Sequence, residues 1–155
     1  MNSSTSLPDF FSSLSSEAQQ IFKAGEGVWE ERKFSPDTYV FKEGDSDHDL
    51  YFILSGEVEI IKQIRGKEST QKLLAVLSAG GVFGEGALLS AKLRSASVRT
   101  LQATEVLILT QAKFEELIHK KPTVAATLLL NLLLIVNQRL MKRNIGLNSF
   151  NHQFI

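Results

Sequence analysis

Gly84-Glu85-Gly86-Ala87-Leu88-Leu89 is followed, a few residues on, by Arg94-Ser95-Ala96-Ser97-Val98-Arg99. The first segment offers a glycine, a carboxylate and a short run of small and apolar residues suited to a brief helix. The second offers an arginine set among small residues. Backbone N–H groups at the start of a helix have no partner inside it and point at whatever negative group lies beyond. A guanidinium can close the other side of such an anion with a planar pair of donors. A carboxylate in the same loop would repel a bare phosphate, so Glu85 needs a separate job, and accepting a hydrogen bond from a sugar hydroxyl is the natural one. Phosphate and sugar read within one loop describe a nucleotide.

Each of these residues also has an ordinary reading. Arg94 on its own would suit a strand arginine in a surface ion pair, and Glu85 a helix-start carboxylate favoured by the dipole. Gly44, Gly56, Gly80 and Gly84 suit turns that need positive φ or close backbone approach, and only Gly84 is placed to touch a ligand. Other chemistries fare worse. His48, His119 and His152 sit in unrelated segments without ligand spacing or a carboxylate pair, so neither a metal site nor a general base is expected. Gly84-x-Gly86 stops short of a dinucleotide fingerprint because Leu89 stands where the third glycine belongs, and no Gly-Lys-Ser/Thr follows. No nucleophile elbow is present, so catalysis is not expected.

The elements that must position this loop are written in short runs. Between Trp29 and Leu109, β-branched and aromatic stretches (Tyr51 to Leu54, Val58 to Ile61, Leu73 to Leu77, Val106 to Leu109) alternate with glycines and charged turns, which argues for an antiparallel roll or barrel. Ile64 to Ser69 reads as an exposed hairpin tip. Ahead of the roll come a polar start over residues 1–6, read as disordered, and two short helical stretches around Leu7–Phe11 and Leu14–Phe22, the second capped by Ser15 or Ser16. After Thr110 the pattern turns helical. Ala112 to Lys120 is amphipathic, and Pro122 suits the first turn of a longer helix to about Asn144. Val124 to Val136 within it is almost wholly apolar, yet shorter than the roughly 20 residues a bilayer span needs and interrupted by Asn131. A helix apolar all round must bury more than one face, and a second copy of itself is the simplest cover for the outer one.

The chain of 155 residues fits one domain, and its 17 basic and 17 acidic residues cancel, so no basic field advertises nucleic acid. The absence of cysteine excludes disulfides and thiolate chemistry. A polar start without an apolar run lacks the marks of a secretory signal, and a cytoplasmic location is the default expectation.

Read in order, Tyr39-Val40-Phe41-Lys42-Glu43-Gly44-Asp45, Asp49-Leu50-Tyr51-Phe52-Ile53-Leu54-Ser55-Gly56-Glu57-Val58, Phe83-Gly84-Glu85 with Ala87-Leu88-Leu89, and Arg94-Ser95-Ala96-Ser97-Val98 resemble the cyclic-nucleotide-binding domain family over nearly the whole chain. The resemblance implies an α+β domain over residues 7–155. Short amino-terminal helices (7–28) would precede an antiparallel, jelly-roll-like β-roll (29–110) with a phosphate-binding cassette at 83–98, and carboxy-terminal helices (111–148) would follow. It implies that Phe83, Gly84, Glu85, Gly86 and Ala87 form one side of the ligand site. Glu85 would accept from the ribose 2′-hydroxyl and Arg94 would grip the exocyclic phosphate oxygens. Ser95 would add its hydroxyl, and the N–H groups of Ser95 and Ala96 would complete the cradle. Ile60 and Leu74 match positions that pack on the purine, with plain core an equal alternative. Arg139 lies where a base-capping residue is placed, with Asn137, Leu140 and Asn144 as rivals.

Two positions depart from the family pattern, Gly86 where a large apolar residue is usual and Gly81 where aspartate is common. The first would loosen the cassette helix, since a helical glycine costs about 1 kcal/mol relative to alanine. The implied function is a stand-alone sensor of cAMP, or of cGMP, without cofactor or metal. It would pair through its final helix or meet an effector protein, with no binding of nucleic acid by this chain alone and no membrane insertion. The alternatives are an interaction module that has lost its ligand and the sensory half of a DNA-binding regulator.

Overall fold

A computed structural model describes residues 27–66, 70–90 and 92–152, the last ten of these for their backbone alone. The polar start and the helices expected around Leu7–Phe11 and Leu14–Phe22 lie outside the described residues, as do positions 67–69 of the expected hairpin tip. Among the described residues the strands are β1 (Glu30–Phe34), β2 (Tyr39–Phe41), β3 (Leu50–Ser55), β4 (Glu57–Gln63), β5 (Gln71–Ser78), β6 (Val82–Phe83), β7 (Ser97–Thr100) and β8 (Thr104–Leu109). Among the described residues the helices are α1 (Glu85–Ser90), α2 (Gln111–Lys120) and α3 (Pro122–His152). The strands form two four-stranded sheets, in the orders β1-β8-β3-β6 and β2-β7-β4-β5, with every pairing antiparallel. The fold is therefore an antiparallel β-roll with helices, the architecture expected from the sequence.

The unbroken apolar run Leu50 to Ile53 explains how the two layers meet. Side chains alternate across a strand, so such a run must be buried on both faces. Tyr51 and Ile53 enter the core between the sheets with Phe41, Val58, Phe83, Val98, Val106 and Ile108. Leu50 and Phe52 point the other way, into a second core with Leu88, Leu109, Phe114, Leu117, Val124, Leu128 and Leu132. Strand β8 divides its side chains in the same manner. Between β3 and β4 the chain passes from one sheet to the other through a single residue, Gly56, at φ +94. That left-handed conformation is open to glycine at little cost.

Helix α2 begins at Gln111, capped by Thr110, whose side chain accepts from the Lys113 N–H at 3.2 Å. Pro122 opens α3 as expected, but the helix continues to His152, past Asn144. Val124, Ala125, Leu128 and Leu132 are at most 3% exposed and dock α3 on the first sheet, each large side chain contributing roughly 1.5–3 kcal/mol. Pro122–Lys142 is longer than the apolar stretch weighed from the sequence and, by length and composition alone, long and apolar enough to cross a membrane. Its inward face is nevertheless core of this domain.

Candidate functional site

The loop that carries the chemistry starts where β6 ends. Phe83 pairs with Tyr51 across β3 and β6, and the two rings stack with centroids 4.9 Å apart and planes at 2°. Gly84 follows at φ +85. A Cβ there would lie 2.8 Å from both Arg94 Nη1 and the Asp49 carbonyl oxygen, so conformation and space both require glycine. Helix α1 then begins at Glu85 and buries Ala87 and Leu88, while Gly86 faces open space.

Arg94 precedes β7 and is clamped through its backbone. Its N–H donates to the Asp45 carbonyl at 2.8 Å, and its carbonyl accepts from the Gly44 N–H at 2.8 Å. The Lys42–Asp45 turn that does this is closed by the Asp45 N–H on the Lys42 carbonyl and by the Lys42 N–H on the Asp45 side chain. Gly44, at φ +91, supplies the bend.

The guanidinium is only 2% exposed and meets four acceptors. Its Nε donates to Asp47 Oδ1 at 3.1 Å and Nη2 to Asp47 Oδ2. Nη2 also reaches the Asp49 carbonyl at 2.8 Å, and Nη1 the Gly84 carbonyl at 3.0 Å. The Phe41 ring lies beneath it, 4.0 Å from centroid to Cζ. Of the five N–H bonds a guanidinium carries, one on Nη1 is left over. The two-pronged grip on phosphate oxygens implied by resemblance is therefore not open to Arg94 in this arrangement, because Asp47 holds that edge of the fork. Burial raises the Tyr51 phenol to about 12, with the Asp47 carboxylate adding to the rise and Arg94 opposing it, so it is a neutral hydroxyl at physiological pH.

Glu85 is engaged as well. Arg139, on α3, donates through Nη1 to Glu85 Oε1 and through Nη2 to the Val82 carbonyl. In this structure the guanidinium of Arg139, the position the resemblance gives to a base cap, is bonded to the carboxylate assigned to the sugar. The rival positions Asn137 and Leu140 are exposed on α3, and the side chain of Asn144 lies outside the described residues.

Ser95 is exposed and Ala96 buried. Phe83 and Ala87 are core side chains, leaving only their backbone to meet a ligand. Ile60 and Leu74 are half-buried on β4 and β5. Ile60 packs against the core between the sheets, as its plain-core alternative has it, and Leu74 falls at the bulge between the pairs Ile60↔Ala75 and Ile61↔Leu73. The structure thus joins Gly84 with Arg94 and Glu85 with Arg139 by direct contacts, while Ile60 and Leu74 lie on β4 and β5, in the sheet that also holds β7, the strand Arg94 leads into. Among the described residues no cluster of His, Cys, Asp or Glu is placed to hold a metal.

Asp47 and Phe41 were not singled out from the sequence. A buried arginine demands a carboxylate, and the acidic run Asp45 to Asp49 was the available signal. Spacing alone does not say which of its three aspartates folds onto residue 94.

Comparison with known proteins gives this site a context. Residues 31–121, more than half of the chain, match the model of the cyclic nucleotide-binding domain. A potassium channel of Oryza sativa subsp. japonica is 33% identical over 98 residues, 63% of this chain and 11% of that protein. The cyclic AMP receptor protein of Thermus thermophilus is 34% identical over 110 residues, 70% of this chain and 48% of that protein. The chain thus spans half or less of the length of these relatives. Among solved structures, the catabolite activator protein of Thermus thermophilus superposes with a TM-score of 0.72 at 28% identity, covering 92% of this chain and 62% of that one.

Proposed function

Because this chain belongs to the cyclic nucleotide-binding domain family, we propose that it binds a 3′,5′-cyclic purine nucleotide, cAMP ahead of cGMP, and works as a cytoplasmic, non-enzymatic sensor. The observation that carries the reading is the Gly84 turn, which has Arg94 Nη1 on its carbonyl at 3.0 Å and Glu85 as the next residue. A phosphate reader and a sugar reader thus share one turn. The similarity to a protein named as a cyclic AMP receptor favours cAMP.

Binding begins at the free Nη1 donor and at the exposed Ser95. The phosphate then displaces the Asp47 carboxylate from the guanidinium edge, exchanging one charge-assisted pair for another. That exchange moves the cassette. Helix α3, tied to Glu85 through Arg139, follows it, so differential affinity for two states of the loop becomes motion of the helix.

A second copy of the chain is the proposed partner of α3. Leu130 and Leu133 are each 63% exposed and Leu140 is 53% exposed. With Asn137 they run at alternating spacings of three and four, the a/d pattern of a two-stranded coiled coil, in which one buried asparagine fixes register.

Thermal shift with cAMP, cGMP and a cyclic dinucleotide tests the ligand reading. A nucleotide at a hundredfold excess over its Kd adds about 2.7 kcal/mol of unfolding free energy, and the largest shift is expected from cAMP. Shifts absent for all three would leave the ligand-independent interaction module as the better reading. A preference for cGMP of about tenfold, or 1.4 kcal/mol, would overturn the choice of base.

A further inference from the structure

Arg139 joins two parts of the domain that the sequence does not connect. Through Nη1 and Nη2 it holds Oε1 of Glu85 and the carbonyl of Val82, which lie on either side of Phe83 and Gly84. On that same turn, Arg94 holds the Gly84 carbonyl. Two arginines, one from the final helix and one from the strand region, therefore fix a single stretch of four residues. The Glu85 and Arg139 side chains are 18% and 33% exposed, so the ion pair is half-buried and its geometry constrained.

A carboxylate has about four acceptor positions, and an arginine on one oxygen does not fill them. Among the described residues the contact recorded for Glu85 is on Oε1, which leaves Oε2 to accept from a ligand. A base cap needs only the face of a guanidinium over the ring, whereas the contacts of Arg139 are made by its edge, through both Nη atoms, to the turn from Val82 to Glu85.

We propose that Arg139 is a positioning residue for sugar recognition: it orients the Glu85 carboxylate for the ribose 2′-hydroxyl and thereby makes α3 sense the sugar rather than the base. This rests on the cyclic-nucleotide reading given above. A mobile carboxylate must be ordered when the sugar arrives, and a positioned one need not be. The dependence on Arg139 should therefore be confined to ligands that possess the hydroxyl.

Calorimetric titration of the full chain with cAMP and 2′-deoxy-cAMP tests this, using the unsubstituted protein, Arg139→Ala, Arg139→Lys and Glu85→Gln. A hydrogen bond to a charged group gives the unsubstituted chain a ribose preference of about tenfold or more. Arg139→Ala is expected to reduce that preference to the level of Glu85→Gln, and Arg139→Lys to restore part of it. Loss of affinity for both nucleotides by one common factor would overturn the proposal in favour of a base cap. Tighter ribose binding in Arg139→Ala would overturn it in favour of competition between arginine and sugar. If Arg139→Ala does not fold, the Arg139→Lys ratio decides alone: an unchanged preference with weaker overall binding counts against positioning. Failure of the unsubstituted chain to bind either nucleotide would remove the nucleotide reading itself, a result distinct from a preference that ignores Arg139.

Discussion

A guanidinium that is 2% exposed is tolerated in a protein interior only when a carboxylate and further acceptors replace the water it has lost, and Arg94 has Asp47, two carbonyls and the Phe41 ring. An arginine that faced only a ligand could be deleted without harm to the empty domain, but Arg94 cannot. Breaking a buried pair from one side costs about 3–5 kcal/mol. The Asp47 side chain is 36% exposed and regains water, so Arg94→Ala is expected to lose less than that, yet measurably, without any nucleotide, as read by urea denaturation. Asp47→Asn is the cleaner probe. It keeps an oxygen for Arg94 Nε but removes the charge that competes with phosphate, so cAMP should bind several-fold more tightly, a gain of about 1 kcal/mol. Weaker binding in Asp47→Asn would mean that Asp47 holds Arg94 ready for phosphate rather than away from it.

Helix α3 has two faces with different work. Leu128 and Leu132 are fully buried on the sheet, whereas Leu130, Leu133, Leu134, Leu140 and Met141 are all more than half exposed. The inward face belongs to the core that also contains Leu50 and Phe52, so a charge at Leu128 should unfold the domain. Charges at Leu130, Leu133 and Leu140 should instead abolish pairing and spare nucleotide binding, because these side chains are exposed and Arg139, which reaches Glu85, is left in place. Sedimentation equilibrium reads the difference: a dimer for the unsubstituted chain and a folded monomer for the triple glutamate variant. A monomeric unsubstituted chain at high concentration, with and without cAMP, would discard the coiled-coil pairing.

For the molecule as a whole, the core between the sheets sets an alkaline limit on stability. Burial, chiefly, raises the Tyr51 phenol from 10.0 to about 12, so the folded state favours the neutral hydroxyl. The unfolded chain ionises first as pH rises. The stabilisation is therefore complete below pH 10 and is lost on the way to about pH 12, by at most roughly 2.7 kcal/mol for two pK units. Tyr51→Phe should leave stability near pH 7 little changed and flatten the fall in melting temperature between those limits. The exposed Lys33, itself raised by its bond to Glu105, titrates in both proteins and drops out of the comparison. An identical alkaline fall in Tyr51→Phe would show that the phenol ionises freely in the folded domain.

Much of this protein is local and so was written in the sequence. Alternation and unbroken apolar runs marked β3 and β8, Pro122 marked the start of α3, and Gly84-Glu85 with Arg94 marked the loop, because strand period, helix entry and turn conformation each depend on a few adjacent residues. What tertiary structure alone decided is which groups face one another. Asp47 and Arg94 stand 47 positions apart, and Glu85 and Arg139 stand 54 apart. No periodicity carries across such separations. The sequence could propose Arg94 and Glu85 as candidate readers of phosphate and sugar, yet not that each has a charged partner within the chain. Nor could it separate the core leucines of α3 from the exposed ones, since a helix apolar on every side has no pattern until a sheet covers one face of it.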